Sequence, residues 1–375
     1  MAIINQKDTM KTDKQQLDSQ ELVQLARLAV TGKRPDLILY IRRLAKRYRL
    51  SFPELAEELT SLVREVPNSS SVLRGAIVDS IPVDQDSRLQ LARPEYPVEL
   101  DIEPIWEEQV RANLEQIVVE REMEMKLAKA DLHPTKSALF VGPPGVGKTL
   151  AARWIARRLE RPLIVLDLSA VMSSFLGRTG NNIRNVLDYA KGVNCVLLLD
   201  EFDAIAKRRD DAVEIGELKR LVTVLLQEID EWPPSGLLLA ATNHQGLLDP
   251  AVWRRFEMIV EFPMPSEPEI RQAIELFLGE DAEEKTWSGV LAHAFSDASY
   301  AEIRRDLLRA KRNAVVHDQS SLVPLQGIVR QRVRGLGRDD RMEIALGLLN
   351  QGLSQREAHD WTGVSRDTIR KAVHQ

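Results

Sequence analysis

The sequence predicts an α/β protein built around a mainly parallel sheet. Four short apolar runs, "ALFVG", "LIVLDL", "VLLLD" and "LLLAATN", read as core strands. Helix-like segments alternate with them, and strand–helix alternation is the pattern of a parallel sheet with helical crossovers. The first run leads through "GPPGVGKT" into "LAARWIARRL", a glycine-rich turn between a strand and a helix.

Length and composition set the frame. With 375 residues the chain has room for two or three domains. Its 44% hydrophobic and 29% charged residues are ordinary for a globular protein. A net charge of −5 excludes a generally basic nucleic-acid coat, though not a small basic module at one end. The single cysteine, Cys195, allows no internal disulfide and heads an apolar run, so it reads as an inert core thiol. No apolar run approaches the roughly 20 residues of a membrane-spanning helix. The polar N-terminus "MAIINQKDTMKTDKQQ" lacks a signal-peptide core. The expectation is a cytoplasmic chain with no membrane partner.

Residues 1–19 read as a disordered tail. From residue 20 to 66 apolar residues recur at helical spacing, and Pro35 and "SFP" at Ser51 to Pro53 divide them into about three helices. This predicts a small N-terminal helical domain. Its middle helix carries Arg42, Arg43, Lys46, Arg47 and Arg49, a solvated face or a docking surface for an acidic partner. Residues 67–102 read as a linker. A helix from about Ile105 to Ala130 opens the α/β core, 103–265. Residues 266–317 read as helical, 318–340 as a second linker, and 341–375 as a compact unit of their own. No internal repeat is evident.

The turn "GPPGVGKT" covers Gly142, Pro143, Pro144, Gly145, Val146, Gly147, Lys148 and Thr149, with Leu150 next. It matches G-x-x-x-x-G-K-[ST], the P-loop pattern. Glycines let the backbone turn tightly so that its N–H groups face phosphate oxygens, and the helix N-terminus favours the anion. Lys148 suits the β/γ-phosphates of ATP, and the Thr149 hydroxyl suits Mg²⁺. The strand "CVLLLDEFD" ends in adjacent carboxylates: Asp200 is expected to hold Mg²⁺ and Glu201 to act as general base on the attacking water. Asn243 ends another core strand, where an amide can hold the lytic water or touch the γ-phosphate. Arg254 and Arg255 lie too far along the same stretch to serve that site easily. An arginine of this kind can be supplied to a neighbouring subunit, or be a plain surface residue.

Together these residues resemble the AAA clade of the AAA+ ATPases, over about Glu103 to His317. "GPPGVGKT" looks like the family's Walker A and "VLLLDEFD" its Walker B. "LLLAATNHQGLLDPAVWRRFEMIVEFPMP" is similar to its second region of homology, with Asn243 at the sensor position and Arg254 and Arg255 at the arginine-finger positions. Many members separate those arginines by Pro-Gly; here they are adjacent. "DASYAEIRRDLLRAKRNAVV" is similar to the start of the lid helix nearest the nucleotide, with Tyr300 where many members have Gly. The resemblance implies an AAA+ P-loop core (103–265), a helical lid (266–317), and a homo-oligomeric ring, most often a hexamer, with ATP at subunit interfaces. It also implies a pore loop. Phe175, Leu176 and Gly177 match an aromatic–hydrophobic–Gly tripeptide that grips polypeptide in the central pore, unless Phe175 folds back onto its own domain. "KRRDDAVEIGELKR" is expected to form a second pore loop or a plain solvated one. A narrower likeness, through the N-terminal helices, "SSFLGRTGNNIR" and "DEFDAIAKRRDD", is to bacterial anti-phage ATPases encoded beside subtilisin-like proteases.

In the C-terminal unit, Ser354 and Glu357 form a capping-box pattern opening a helix to about Trp361, "TGV" makes a tight turn, and Ser365 caps "RDTIRKAV". This resembles a helix-turn-helix of the resolvase and transposon-regulator type. Its second helix would present Arg366, Thr368, Arg370 and Lys371 to DNA; protein docking is the other reading. The functional expectation is an ATPase that remodels or unfolds a protein substrate. The alternatives are a DNA-associated regulatory or transposition-type ATPase, and an ATP-dependent switch for a separate effector such as a protease.

Overall fold

The computed structural model describes residues 34–48, 52, 55–59, 82, 91–169, 171, 179–205, 214–244, 246, 248 and 250–373. The chain divides into two compact units, 1–80 and 81–375. In the first, helix α1 (Arg34–Tyr48) begins where Pro35 was expected to interrupt the pattern, because proline is tolerated in a first helical turn. α1 buries Leu44, Ala45 and Tyr48 and exposes Arg43, Lys46 and Arg47. The expected tail, Arg49 and most of the remaining N-terminal helical segment lie outside the described residues.

In the second unit the elements run in the order β1 (Arg93–Glu95), α2 (Glu108–Glu122), α3 (Glu124–Ala128), β2 (Ser137–Val141), α4 (Lys148–Arg158), β3 (Leu163–Asp167), α5 (Thr179–Gly192), β4 (Val196–Asp200), α6 (Glu214–Asp230), β5 (Leu237–Thr242), α7 (Pro250–Trp253) and β6 (Met258–Glu261). The all-helical remainder is α8 (Glu267–Leu278), α9 (Ala282–Lys285), α10 (Ser288–Ala294), α11 (Tyr300–Val316), α12 (Leu322–Arg332), α13 (Arg338–Asn350), α14 (Gln355–Thr362) and α15 (Arg366–Val373).

The sheet order is β1-β3-β4-β5-β2-β6. The four expected strands, β2 to β5, are parallel; β6, which the sequence reading did not mark, adds a fifth parallel strand beside β2, and β1 pairs antiparallel with β3. β1 falls inside the stretch expected as a linker. Its three residues carry too little apolar pattern to signal a strand, and an edge position needs little. Every residue of β2 and β5 is buried, because helices cover both faces: one core holds Leu139, Ile164, Leu197 and Ile183, the other Phe140, Val165, Leu198 and Ile155.

The expected second linker, 318–340, instead carries α12, and its residues complete a shared core. Leu325, Val329 and Val333 are buried with Ile303 and Leu307 of α11 and with Ile344, Leu348, Ala358 and Ile369. Helices α8 to α15 therefore pack as one body, and the C-terminal helices are not separated from the preceding helical segment. Trp361 of α14 stacks on Trp287 at 6.4 Å between centroids, with the Arg330 guanidinium 4.1 Å from its ring on α12's side. The capping box read from Ser354 and Glu357 is present, and the turn after α14 passes through Gly363 at φ 68°. Among the described residues no helix is long and apolar enough to cross a membrane. Cys195 is buried, its thiol pushed up to about 12 by burial, as an inert core thiol should be.

α13 meets α10 at Gly347, where an added Cβ would lie 2.7 Å from Val290 Cγ2. Gly347→Leu is expected to force these helices apart and lower stability by about 1–3 kcal/mol. Urea denaturation followed by far-ultraviolet circular dichroism measures it, and an unchanged midpoint would contradict the close packing.

Candidate functional site

The carboxyl ends of the parallel strands face one edge of the sheet, where open α/β sheets bind ligands. The strand order puts β5 between β2 and β4. The turn after β2, the end of β4 and the residue after β5 thus meet. Lys148, buried at the start of α4, donates to the Gly142 carbonyl at 2.7 Å, to the Pro143 carbonyl at 2.8 Å and to Asn243 Oδ1 at 2.8 Å. The Thr149 hydroxyl donates to Asp200 Oδ2 at 3.1 Å. Asp200 Oδ1 accepts the Glu201 N–H at 2.9 Å. Glu201 holds φ at 53°, uncommon for a residue with a side chain, and its side chain is exposed. The turn takes its path from two glycines with different neighbours. A Cβ on Gly142 would lie 2.1 Å from the Phe262 carbonyl, and one on Gly145, at φ 81°, would lie 2.6 Å from Ser299 Oγ. Val146 is buried beneath the turn, Leu150 is half-buried and Pro144 is exposed.

The two arginines separate. Arg255 forms an ion pair with Asp230, at the end of α6. The Asp230 carbonyl accepts from Lys136 Nζ, just before β2, so Arg255 is tied to the amino ends of the strands, away from Thr149 and Asp200. Arg254 is exposed and has no ion-pair partner among the described residues. On α15, Arg366, Arg370 and Lys371 are exposed, while Thr368 is half-buried and engages Ser365 through a 2.6 Å hydroxyl contact. Phe175, Leu176 and Gly177, and the second expected pore loop up to residue 213, lie outside the described residues.

The family model for "ATPase family associated with various cellular activities (AAA)" matches residues 138–264. Residues 138–264 are an AAA ATPase domain. The chain is 46% identical over 138 residues to "Uncharacterized AAA family ATPase y4kL" of Sinorhizobium fredii, 37% of this chain and 42% of that one. It is 30% identical over 223 residues to "Proteasome-activating nucleotidase 1" of Haloferax volcanii, 57% of this chain and 54% of that one. Against "Proteasome-activating nucleotidase" of Methanothermobacter thermautotrophicus it is 30% identical over 239 residues, 61% and 58% of the two chains. The chain spans about half the length of the curated relatives it matches.

Three residues around the site escaped the sequence reading. Asp203, buried three residues after Asp200, accepts from the Thr242 hydroxyl and the Asn243 N–H, each at 3.3 Å, and so fixes the end of β5. Its position in "DEFD" was the available signal. Trp106 packs edge-on to Trp154 at 5.6 Å, and its indole nitrogen would lie 3.2 Å from a Cβ on Gly147. No motif marks it. Ala301, second in α11, donates its N–H to the Gly145 carbonyl at 3.1 Å. Only folding brings 145 and 301 together.

The Lys148 ammonium is lowered to about 8 by burial, with the Asp200 and Asp203 carboxylates pulling it back up. Phosphate is complemented by the ammonium and not by the amine. As pH rises through about 8 the charged fraction of the free site falls. ATP affinity is therefore expected to drop about tenfold per pH unit above that point, with a proton taken up on binding. Calorimetry in buffers of different ionisation enthalpy reads both effects; affinity independent of pH there would overturn the assignment.

Proposed function

We propose that the chain forms a homo-oligomeric ring, a hexamer in the simplest case, in which ATP hydrolysis drives remodelling or unfolding of a protein substrate. The observation that carries the ring is the state of the two arginines. Arg255 is held by Asp230 within its own chain, and among the described residues no arginine hydrogen-bonds to Lys148, Thr149, Asp200 or Asn243. Arg254 is exposed and has no ion-pair partner among the described residues, which leaves it available to a neighbour's site. The relatives named as proteasome-activating nucleotidases support the protein-directed reading.

In this mechanism the turn from Gly142 to Gly147 wraps the phosphates with its N–H groups, and Lys148 exchanges its carbonyl partners for β- and γ-phosphate oxygens. The oxygens of Thr149 and Asp200, a hydroxyl and a carboxylate 3.1 Å apart, fit a hard cation that keeps several waters. When bound, Mg²⁺ supplies neutralisation of the phosphate charge. Glu201 takes a proton from water as the water oxygen bonds to the γ-phosphorus, and the bond to the β,γ-bridging oxygen breaks to leave ADP and phosphate. Asn243, fixed by Asp203, orients that water and shares the Lys148 ammonium. Arg254 of the neighbouring copy stabilises charge on the transferring phosphoryl group. Phe175, Leu176 and Gly177 supply the grip on substrate. The chain is taken as bacterial and cytoplasmic on the sequence readings above. A switch acting on a separate effector would use the cationic face of α1 for docking.

Arg254→Ala is expected to lower ATP turnover about 10³-fold with nucleotide binding intact. Mixing it with Lys148→Ala subunits should restore part of the activity, because intact sites then meet intact arginines; no restoration would remove the ring reading. Phe175→Ala is expected to keep ATP turnover within about twofold and to lose processing of a substrate captured with the ATP-trapping Glu201→Gln form. Undiminished processing would sink the pore-loop role.

A further inference from the structure

Three contacts connect the nucleotide turn to the far C-terminal surface. First, α11 begins on the turn itself: Ala301 N–H donates to the Gly145 carbonyl, and the Ser299 side chain that caps α11 fills the space a Gly145 Cβ would need. Second, α11 belongs to the same buried core as α12 and α13, through Leu307, Leu325, Val329 and Leu348. Third, α13 is locked onto α10 at Gly347, and Trp361 is held between Trp287 and Arg330. A close-packed body of this kind moves as a unit and does not bend continuously. A displacement at Gly145 would be carried through this body to α15.

The surface that α15 presents is specific in its chemistry. α13, α14 and α15 pack on one another around Ile344, Leu348, Ala358 and Ile369, leaving α15 with one buried stripe and one solvent face. On that face Arg366 and Arg370 are one turn apart with Lys371 beside them. None of the three has an ion-pair partner among the described residues. Asp367 is the one acidic side chain of α15. Val373 is the only exposed large apolar side chain described between 338 and 373. Protein interfaces centre on apolar and aromatic anchors, which this face lacks. Unpaired arginines on a short helix after a tight turn suit phosphates and base edges in the major groove of B-form DNA; the deep, narrow major groove of A-form RNA does not admit a helix.

We propose that the Arg366–Arg370–Lys371 face is a duplex-DNA surface whose affinity is set by nucleotide at the Gly142–Thr149 turn. It depends on nucleotide binding there and not on what the ring remodels. By linkage, DNA changes nucleotide affinity by the same factor that nucleotide changes DNA affinity.

The test uses the full chain and a labelled random-sequence duplex of about 30 base pairs, titrated at about 50 and about 200 mM salt. Titrations run without nucleotide, with ADP and with a non-hydrolysable ATP analogue, a fluorescent analogue confirming saturation of the turn. The expected result is salt-sensitive binding that differs about fivefold or more between nucleotide states. Arg366→Ala with Arg370→Ala should reduce the salt slope by about 2 at an unchanged melting temperature. Trp361→Ala should keep DNA binding and shrink the nucleotide effect. No binding at low salt, or binding indifferent to Arg366 and Arg370, overturns the DNA surface. Binding equal in all nucleotide states, with the turn saturated, overturns the coupling while leaving the ATPase reading intact. Preference for single strands or RNA over the duplex would equally remove it.

Discussion

Strand β5 lies between β2 and β4, and the nucleotide site follows from that placement. β2 delivers the glycine turn and Lys148, β4 delivers Asp200 and Glu201, and β5 puts Asn243 in the gap. Because all three strands are parallel, their chemistry arrives at one edge of the sheet. The 2.8 Å bond from Lys148 to Asn243 and the 3.1 Å bond from Thr149 to Asp200 are the measure of how closely the three ends converge. Burial makes the arrangement sensitive. A lysine withdrawn from water must replace its hydration with carbonyl and amide oxygens, and it does so with three of them. Those oxygens hold the ammonium where phosphate oxygens can take their place.

The second joint is between the turn and the helical body that follows. Gly145 serves both sides of it. Its carbonyl accepts the Ala301 N–H in the first turn of α11, and its missing side chain leaves room for the serine that caps that helix. A helix N-terminus normally has orphan donors to satisfy, and here one is satisfied by the nucleotide turn itself. The joint is braced from the other side by residues preceding α2: Asp101 pairs with Arg304 of α11 at 3.4 Å, and Glu103 with Arg157 of α4 at 3.5 Å. Both pairs are largely exposed, so they position the bodies more than they bind them. A joint that rests on one backbone bond, the Ser299 contact and an exposed ion pair to α11 can shift with nucleotide more readily than the packed helices beyond it can shift among themselves.

The adjacent arginines show how a small change in spacing divides two similar side chains. Arg255 turns toward Asp230 at the amino ends of the strands, where Lys136 and Glu257 also lie. Arg254, one residue earlier and still exposed, has no such anchor among the described residues. Adjacent residues on an irregular segment point in different directions, so both cannot serve one site.

Much of the site was legible in the sequence because its residues are neighbours in the chain. The turn from Gly142 to Thr149, the Asp200–Glu201 pair and Asn243 each sit at the end of an apolar run, and local pattern sufficed to mark the run and its tip. The capping box at Ser354 is equally local. What only the tertiary structure decided involves partners far apart in sequence: Arg255 with Asp230, Asp203 with Asn243, Trp106 against Gly147, and Ala301 on Gly145. The same reason explains why residues 318–340 read as a linker. Leu325, Val329 and Val333 are too few to announce a core by themselves, and they are buried only because α10, α11 and α13 close around them. Sequence determines which segments can be strands, turns and helices, since those depend on backbone geometry and short-range periodicity. Packing alone determines which cation is free, which carboxylate holds a strand end, and whether two helical segments form one body.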